Sequence, residues 1–596
     1  MTISRALIRL PVLLLALLLR IAPDASAAEP AAPPRAALSP ATLSVEVIGV
    51  EDPLLGNILS FLAIEQEKSD QALTAERIER LHERAPEEIR RALQPFGYYT
   101  PEIRSDLVRS GRLWTARYVV EPGRPVLIGD IDLVITGEGS GNDRIERVRR
   151  DLPISIGDRL VHPRYERAKQ ELLEAATDQG YLDAEFLTSV VEVYPERHTA
   201  AVTLHLDTGP LYRFGEVTFE QEALRPEFLA RYVPFDEGDP FRLSGLLELQ
   251  NALGDSDYFS SVEVEPRYAE AEDLTVPVDV KLVPRKRQRY TVGAGYGTDT
   301  GFRAILGWEN RRVNRRGHRF TSELRLSEIR QSLTARYLIP MKNPRTDRLE
   351  FSTGISEEDT KTSESRIYAL GASYTRKRGE WQATFYTNLQ QERFSVGDEE
   401  GSSRLIIPGT IWTRYKANDP IYVTHGSRIT LELKGAHTAL LSDTSFIQFR
   451  AATSFIRSPW RSGRVLLRAG FGFSQVERFR DLPASQRFFA GGDRSVRGYG
   501  YNTLGPKRDG NVIGGKHLIE GSVEYERRLT SSWSAAAFYD VGNALNNLSD
   551  PLKQGAGVGV RWKSPVGLVR VDVALALDPE PDERQWRIHL NIGPDL

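Results

Sequence analysis

The chain has 596 residues, too many for one ordinary core, so several domains are expected. Its 78 lysines and arginines nearly balance 81 acidic residues, which argues against a nucleic-acid partner, since that would call for a strongly basic face. The absence of cysteine excludes disulfides, thiol catalysis and thiolate metal sites.

At the start of the chain, Arg5 and Arg9 precede the apolar run LPVLLLALLL (Leu10 to Leu19), and ASA at Ala25 to Ala27 offers small residues for cleavage. This is the pattern of a secretory signal peptide over residues 1–27; the run is well short of the roughly 20 residues that span a bilayer as a helix. The Pro/Ala-rich stretch that follows, residues 28–41, reads as a linker. No later stretch has the length and apolarity of a transmembrane helix. The mature chain is therefore either soluble outside the cytoplasm or crosses a membrane as a closed β-barrel.

From Leu43 to about Val283 helical and strand patterns mix, and they repeat. EPGRPVLIGDI (Glu121 to Ile131) aligns with DTGPLYRFGEV (Asp207 to Val217), matching Gly123 with Gly209 and Gly129 with Gly215. Aromatic-bearing turns recur in QPFGYYTPEI, TDQGYLDAEF and GDSDYFSSVEV. Three units of about 80 residues follow, each a strand, two helices and two strands. In the second unit, Tyr165, Ala168, Leu172, Leu173 and Ala176 share a helix face. Such a unit covers one sheet face and leaves strand edges open, a surface for adding a partner's strand, although spacers would show the same pattern.

From about Arg289 onward the helical period disappears and apolar residues alternate with polar ones. Tyr290, Val292, Ala294 and Tyr296 form one such set, Val569, Val571, Val573 and Leu575 another, and Trp586, Ile588, Leu590 and Ile592 the last. About 16 segments, at about 19 residues per strand and connection, fit a transmembrane antiparallel barrel with one lipid face and one wet face. Aromatics near strand ends fit a membrane girdle, whereas a soluble sandwich has no need of so many polar inner faces. In IIPGTIWTRYKAND (Ile406 to Asp419) the parity is unclear.

Between two of these segments lies AGGDRSVRGYGYNTLGP (Ala490 to Pro506), a glycine-rich loop with two arginines. An arginine in a lumen of low dielectric needs a carboxylate. The alternation turns Val523 and Tyr525 toward lipid, which sends Glu524 inward; it turns Trp533, Ala535, Ala537 and Tyr539 outward, which sends Asp540 inward. A loop folded inside would pair Arg497 with these acids, while a loop outside would leave its arginines in water.

VRGY (Val496, Arg497, Gly498, Tyr499), GSVEYE (Gly521 to Glu526), FYDVG (Phe538 to Gly542) and GVGVRWKSPVGLVRVDV (Gly557 to Val573) resemble, in order, the motifs of the BamA-like outer-membrane assembly and two-partner-secretion superfamily. The resemblance implies that Arg497 locks the sixth extracellular loop to the wall through Asp540, with Glu524 nearby and Phe538 and Gly542 flanking. It identifies the repeats as POTRA modules over residues 42–123, 124–209 and 210–286, ahead of a barrel over 287–596. Three modules and the closing NIGPDL are most similar to the TamA type.

The resemblance also implies a non-enzymatic insertase in the bacterial outer membrane with its repeats in the periplasm. Its expected partners are a TamB-like inner-membrane protein, unfolded outer-membrane and autotransporter clients, and outer-membrane lipids. The insertion route would be a weak seam between the first strand (Tyr290, Thr291, Gly293, Gly295) and the last (Ile588, Leu590, Asn591). Three rivals are weighed: an exporter passing a client through the lumen, a diffusion porin with a periplasmic extension, and an outer-membrane enzyme of the patatin-fused kind, for which no catalytic segment is found; phospholipid transport between membranes is not separated from insertion by sequence.

No catalytic, metal or cofactor site is expected. GNVIGGKH (Gly510 to His517) falls short of a phosphate-binding loop because His517 stands where Ser or Thr should be and a strand pattern follows. GAGYGTDTG lacks the third glycine of a dinucleotide loop. RKRQR (Arg285 to Arg289) is placed at the periplasmic rim, either against lipid headgroups or in water.

Overall fold

The computed structural model describes residues 42–70, 73–419, 422–460, 462–564, 567–579 and 584–592. The signal-peptide and linker readings, and the last four residues of NIGPDL, lie outside the described residues.

The first repeat runs β1 (Thr42–Ile48), α1 (Leu54–Phe61), α2 (Ala63–Gln66), α3 (Ala75–Leu93), β2 (Glu102–Ser110) and β3 (Leu113–Glu121). The second runs β4 (Leu127–Thr136), α4 (Asp143–Arg150), α5 (His162–Asp178), β5 (Glu185–Tyr194) and β6 (Thr199–Asp207). The third runs β7 (Arg213–Glu220), α6 (Pro226–Leu229), α7 (Leu243–Gly254), β8 (Phe259–Pro266) and β9 (Thr275–Pro284). Each makes a three-stranded sheet in which the last strand lies in the middle: β1-β3-β2, β4-β6-β5 and β7-β9-β8.

The central strand shows why. Trp114, Ala116, Tyr118 and Val120 alternate in β3, and Ala200, Val202, Leu204 and Leu206 in β6. Each set is buried on one face, where alternation at period two puts it. In the first repeat Ile58, Ile78, Leu81 and Ile89 of the helices complete that core. On α5 the buried face is Tyr165, Ala168, Leu172, Ala175 and Ala176, whereas Leu173 is exposed. The correction follows from the 100° step per residue: with Leu172 central, Ala175 lies closer to the face than Leu173.

The rest of the chain forms a sixteen-stranded antiparallel sheet. Its strands begin with β10 (Gln288–Gly297), β11 (Gly301–Asn310), β12 (Arg319–Ser327), β13 (Arg330–Pro340), β14 (Arg348–Asp359), β15 (Ser363–Arg378), β16 (Trp381–Val396) and β17 (Glu399–Ala417). They continue with β18 (Gly426–Ala436), β19 (Phe446–Trp460) and β20 (Gly463–Val476). A small hairpin, β21 (Lys507–Arg508) and β22 (Asn511–Val512), stands apart within the connection to β23 (His517–Arg528). The sheet ends with β24 (Trp533–Leu545), β25 (Lys553–Ser564), β26 (Gly567–Ala576) and β27 (Trp586–Ile592).

Wall height varies: β17 has 19 residues and β27 has 7. On β17, Leu405 and Ile407 face inward and are buried with Ala436, Phe446 and Leu482. That explains the unclear parity of this segment, because apolar residues on the inner face pack against the inserted loop. GNVIGGKH belongs to the same loop: β22 and its following turn precede β23, and Gly515 bridges to Phe488.

Candidate functional site

The 477–516 loop between β20 and β23 folds into the barrel. Val496, Tyr499, Phe488, Ala490 and Leu504 of the loop cluster with Leu518, Ala544 and Ala576 of the wall. This apolar base excludes water around Arg497, which is 3% exposed.

The Arg497 guanidinium meets Asp540 twice, Nε donating to Oδ2 at 2.7 Å and Nη2 to Oδ1 at 3.0 Å. Its backbone N–H donates to the same Oδ2 at 3.1 Å. Nη1 donates to Glu524 at 2.6 Å and to Asp572 at 3.2 Å, and the Phe538 ring lies 3.4 Å away, under the guanidinium carbon. Bidentate pairing of a planar fork with a carboxylate is the strongest common arrangement of these groups. The structure thus brings together Arg497, Asp540, Glu524 and Phe538.

The motif glycines are explained by close approach. Gly498 has φ +99°, a side chain there would meet the backbone of Ala576 at 2.8 Å, and its N–H donates to His589 Nε2 at 3.0 Å. A Cβ on Gly542 would lie 2.6 Å from the Ile519 carbonyl and 3.1 Å from Val496, so this glycine makes room for the loop. The Tyr499 hydroxyl donates to the Gln554 carbonyl at 3.2 Å.

Sequence reasoning missed the wall's own share. Arg561 donates to Glu524 and to Asp572, both at 2.6 Å, and to Glu526 at 3.3 Å; Arg464 donates to Glu526 at 2.6 Å. With Arg468 at 4.0 Å from Asp540, four guanidiniums face four carboxylates. The signal was available: outward Val558, Val560 and Trp562 send Arg561 inward, and outward Val571 and Val573 send Asp572 inward.

A second clasp joins the loop to both ends of the sheet. The Asp493 N–H donates to Asp299, in the β10–β11 turn, at 2.6 Å. Asp493 also contacts His589 of β27 at 2.5 Å and Thr298 at 3.2 Å. Ligating atoms of Asp299, Asp493 and His589 lie within 4.8 Å of one another. The hydrogen bonds nonetheless commit the imidazole. Nε2 accepts from Gly498, so Nδ1 carries the proton and donates to Asp493, and no lone pair is left for a cation.

The strand order ends at β10 on one side and β27 on the other. Among the described residues the backbone link across this seam is Thr298 N–H to the Leu590 carbonyl at 3.3 Å, backed by Leu590 N–H to Thr298 Oγ1 at 3.1 Å. Tyr290, Thr291, Gly293 and Gly295 lie lower on β10 and are not brought opposite Ile588, Leu590 and Asn591. Tyr290 is 75% and Val292 79% exposed. Ile588 faces outward, and Asn591 faces inward and lines a lumen cavity. A Cβ added at Gly293 or Gly295 meets nothing closer than 3.7 Å, so the inserted loop does not press on these glycines.

In the exposed basic run at the rim, Arg285 and Arg287 are bonded within the chain. Arg285 donates to Asp257 at 3.0 Å and to the Phe259 carbonyl at 2.6 Å, and Arg287 to the Arg312 and Val313 carbonyls at 2.6 and 2.8 Å. Together with Arg311 on Asp257 at 2.9 Å and Tyr258 donating to the Gly317 carbonyl, they fasten the third repeat to the turn between β11 and β12. Burial alone would raise the Asp257 carboxyl; hydrogen bonding and charge from Arg311, with Arg285 and Arg319 behind it, hold it below the usual carboxylate range.

Comparison with known proteins agrees with this architecture. The Omp85 superfamily domain matches residues 288–595, a POTRA domain described as TamA domain 1 matches 44–122, and a POTRA model described as a surface antigen variable number repeat matches 212–285. The chain is 24% identical over 440 residues to the outer membrane protein assembly factor BamA of Nitratidesulfovibrio vulgaris, covering 68% of this chain and 54% of that protein. It is 22% identical over 513 residues to the protein of that name from Neisseria meningitidis serogroup B, covering 72% and 63%. The chain therefore spans between about half and two thirds of the length of these relatives. A crystal structure of Haemophilus ducreyi BamA lacking POTRA domains 1–3 shares the fold, with TM-score 0.67 and 15% identity over 78% of this chain and 99% of that one.

Proposed function

The chain belongs to the Omp85 superfamily of outer-membrane β-barrels, and from that premise we propose that it is an insertase of the TamA type, assembling autotransporters and other outer-membrane barrels. The observation that carries this reading is the seam. The edge of β10 from Gln288 to Tyr296 faces no ladder partner among the described residues, while the link at Thr298 and Leu590 holds its upper end. A client strand pairing with that edge enters lipid with its amides satisfied, which unpaired backbone cannot do without a cost of several kcal/mol per group.

In this reading the Arg497 network keeps the β23–β26 wall rigid while the seam opens. The match of the first repeat to TamA domain 1 supports the TamA type over other members. The repeats then hang in the periplasm and offer sheet edges to clients and to a TamB-like inner-membrane partner.

The test is a pair of cysteines at the linked end, Gly297→Cys with Asn591→Cys, in this cysteine-free chain. Oxidation in outer-membrane vesicles should stop insertion of a client autotransporter, and reductant should restore it. Full insertion through a completely crosslinked barrel would refute the lateral route and favour passage through the lumen.

A further inference from the structure

The glycine-rich stretch from Ala490 to Pro506 carries two arginines, and the network above uses one. Arg494 points instead into a lumen cavity of about 450 Å³ between the loop and the wall, within the range of small-ligand sites. Arg428, Arg450, Arg468 and Arg570 line it too. Strand pairing sets part of this arrangement: Arg428, Ser454, Arg468 and Ser522 occupy one row across β18, β19, β20 and β23.

The charges do not balance locally. Of the acids lining the cavity, Glu524 and Asp572 are held by Arg497 and Arg561, while Asp493 accepts from His589 Nδ1 and keeps its charge. Glu520, which accepts from the Ser495 hydroxyl, is left to face Arg450 and Arg468. Arg494 faces the like charges of Arg570, Arg303 and Arg428 against the opposite charge of Asp493. Among the described residues Arg428, Arg450 and Arg494 form no ion pair, and all three remain exposed to the lumen. Like charges gathered in one cavity repel, and a multivalent anion relieves that repulsion.

Small groups leave space for it. Ala452, Ser454 and Ser522 line the same cavity. The Ser522 oxygen accepts from Arg468 at 3.1 Å and from Arg497 at 3.4 Å, so its proton is available to donate. Guanidiniums with hydroxyl donors beside them match the several acceptor oxygens of a phosphate group.

We propose that this cavity binds a phosphate-type oxyanion, gripped by Arg428, Arg450 and Arg494 with the serine hydroxyls completing its shell. The site stands whether or not the seam opens, and none of these three arginines belongs to the Arg497 network.

The experiment is calorimetric titration of the full chain in neutral detergent with inorganic phosphate, with short-chain phosphatidylglycerol, and with chloride at matched ionic strength. A phosphate-bearing probe should bind at one site where chloride does not, and Arg428→Gln with Arg494→Gln should weaken it about tenfold or more. Saturation by inorganic phosphate identifies a free ion as the ligand; saturation by the lipid alone identifies a headgroup. The proposal is overturned if neither probe exceeds chloride, if the double variant binds like the parent, or if polyglutamate binds through these residues where both phosphate probes fail. If the double variant does not fold, judged by heat-dependent gel mobility, Arg450→Gln alone must still weaken binding.

Discussion

The two sides of the barrel are built on opposite principles. From β23 to β26 the inner face carries buried charges in a closed network: Asp540 is 0% exposed and Arg561 1%, and each strand is tied to the next and to the loop. At β10 the inner face carries Gly293, Gly295 and Gly297, Tyr290 and Val292 are exposed on the outer face, and among the described residues the backbone link across the seam lies at the Thr298 end. Buried ion pairs are weak contributors to net stability but costly to break singly, so they hold a geometry. Glycines in a strand do the reverse, since they add backbone entropy to the unfolded state and leave nothing to pack. The contrast teaches that rigidity in this wall is placed where the loop sits and withheld where, in the proposed function, strands would part.

The sharpest way to break the contrast is to remove the charge at the centre of the network. Arg497→Ala leaves Asp540, Glu524 and Asp572 short of a partner and should cost about 3 to 5 kcal/mol, read as loss of the unfolding midpoint in urea. Arg497→Lys should recover only part of this, because an ammonium cannot span both Asp540 oxygens. A smaller effect is expected from Gly498→Ala, which forces a Cβ into the left-handed region and against β26. The backbone term alone costs about 1 to 2 kcal/mol, with more from the contact, and hydrogen exchange at the loop amides should show it.

Asp257 tests the joint beneath the open side. Its folded carboxyl is held below the unfolded value of about 3.9, so its contribution is whole above that pH and disappears as the pH falls through the lowered value. Exchange of the Arg311–Gly317 amides should quicken over that acid window, and Asp257→Asn should remove the dependence. The smallest change belongs to the seam itself: Gly293→Ala with Gly295→Ala should stabilise the barrel by about 0.5 to 1 kcal/mol per site while slowing client insertion. A destabilised double variant would show that these glycines serve packing.

Much of this was legible because a barrel strand has only two faces. The parity of Val523 and Tyr525 fixes Glu524, and that of Trp533 to Tyr539 fixes Asp540, without any knowledge of the partner. The same rule applied to β25 and β26 reaches Arg561 and Asp572. Other features had no local signal. Leu405 and Ile407 break the alternation because a loop more than 70 positions away covers them, and Leu173 lost its place to Ala175 by a small rotation about the helix axis. The seam register depends on the stagger of a whole sheet, so naming the first and last strands does not reveal that Thr298 is what meets Leu590. Pairings such as Asp493 with His589 join a loop to a distant strand, and periodicity carries no information about them.

The contacts of the loop also impose an order in time. Arg497 draws on Asp540, 43 positions later, and on Asp572, 75 positions later, while Gly498 relies on His589, 91 positions later. None of these partners exists at the loop's station until the strands after it have been added. An unfinished sheet therefore leaves Arg497 without Asp540 and Asp572 until β24 and β26 are in place, and arrival of the final strand supplies His589 to Gly498. The seated loop thus records that the chain has been assembled to its last strand, a completion check written into the wall.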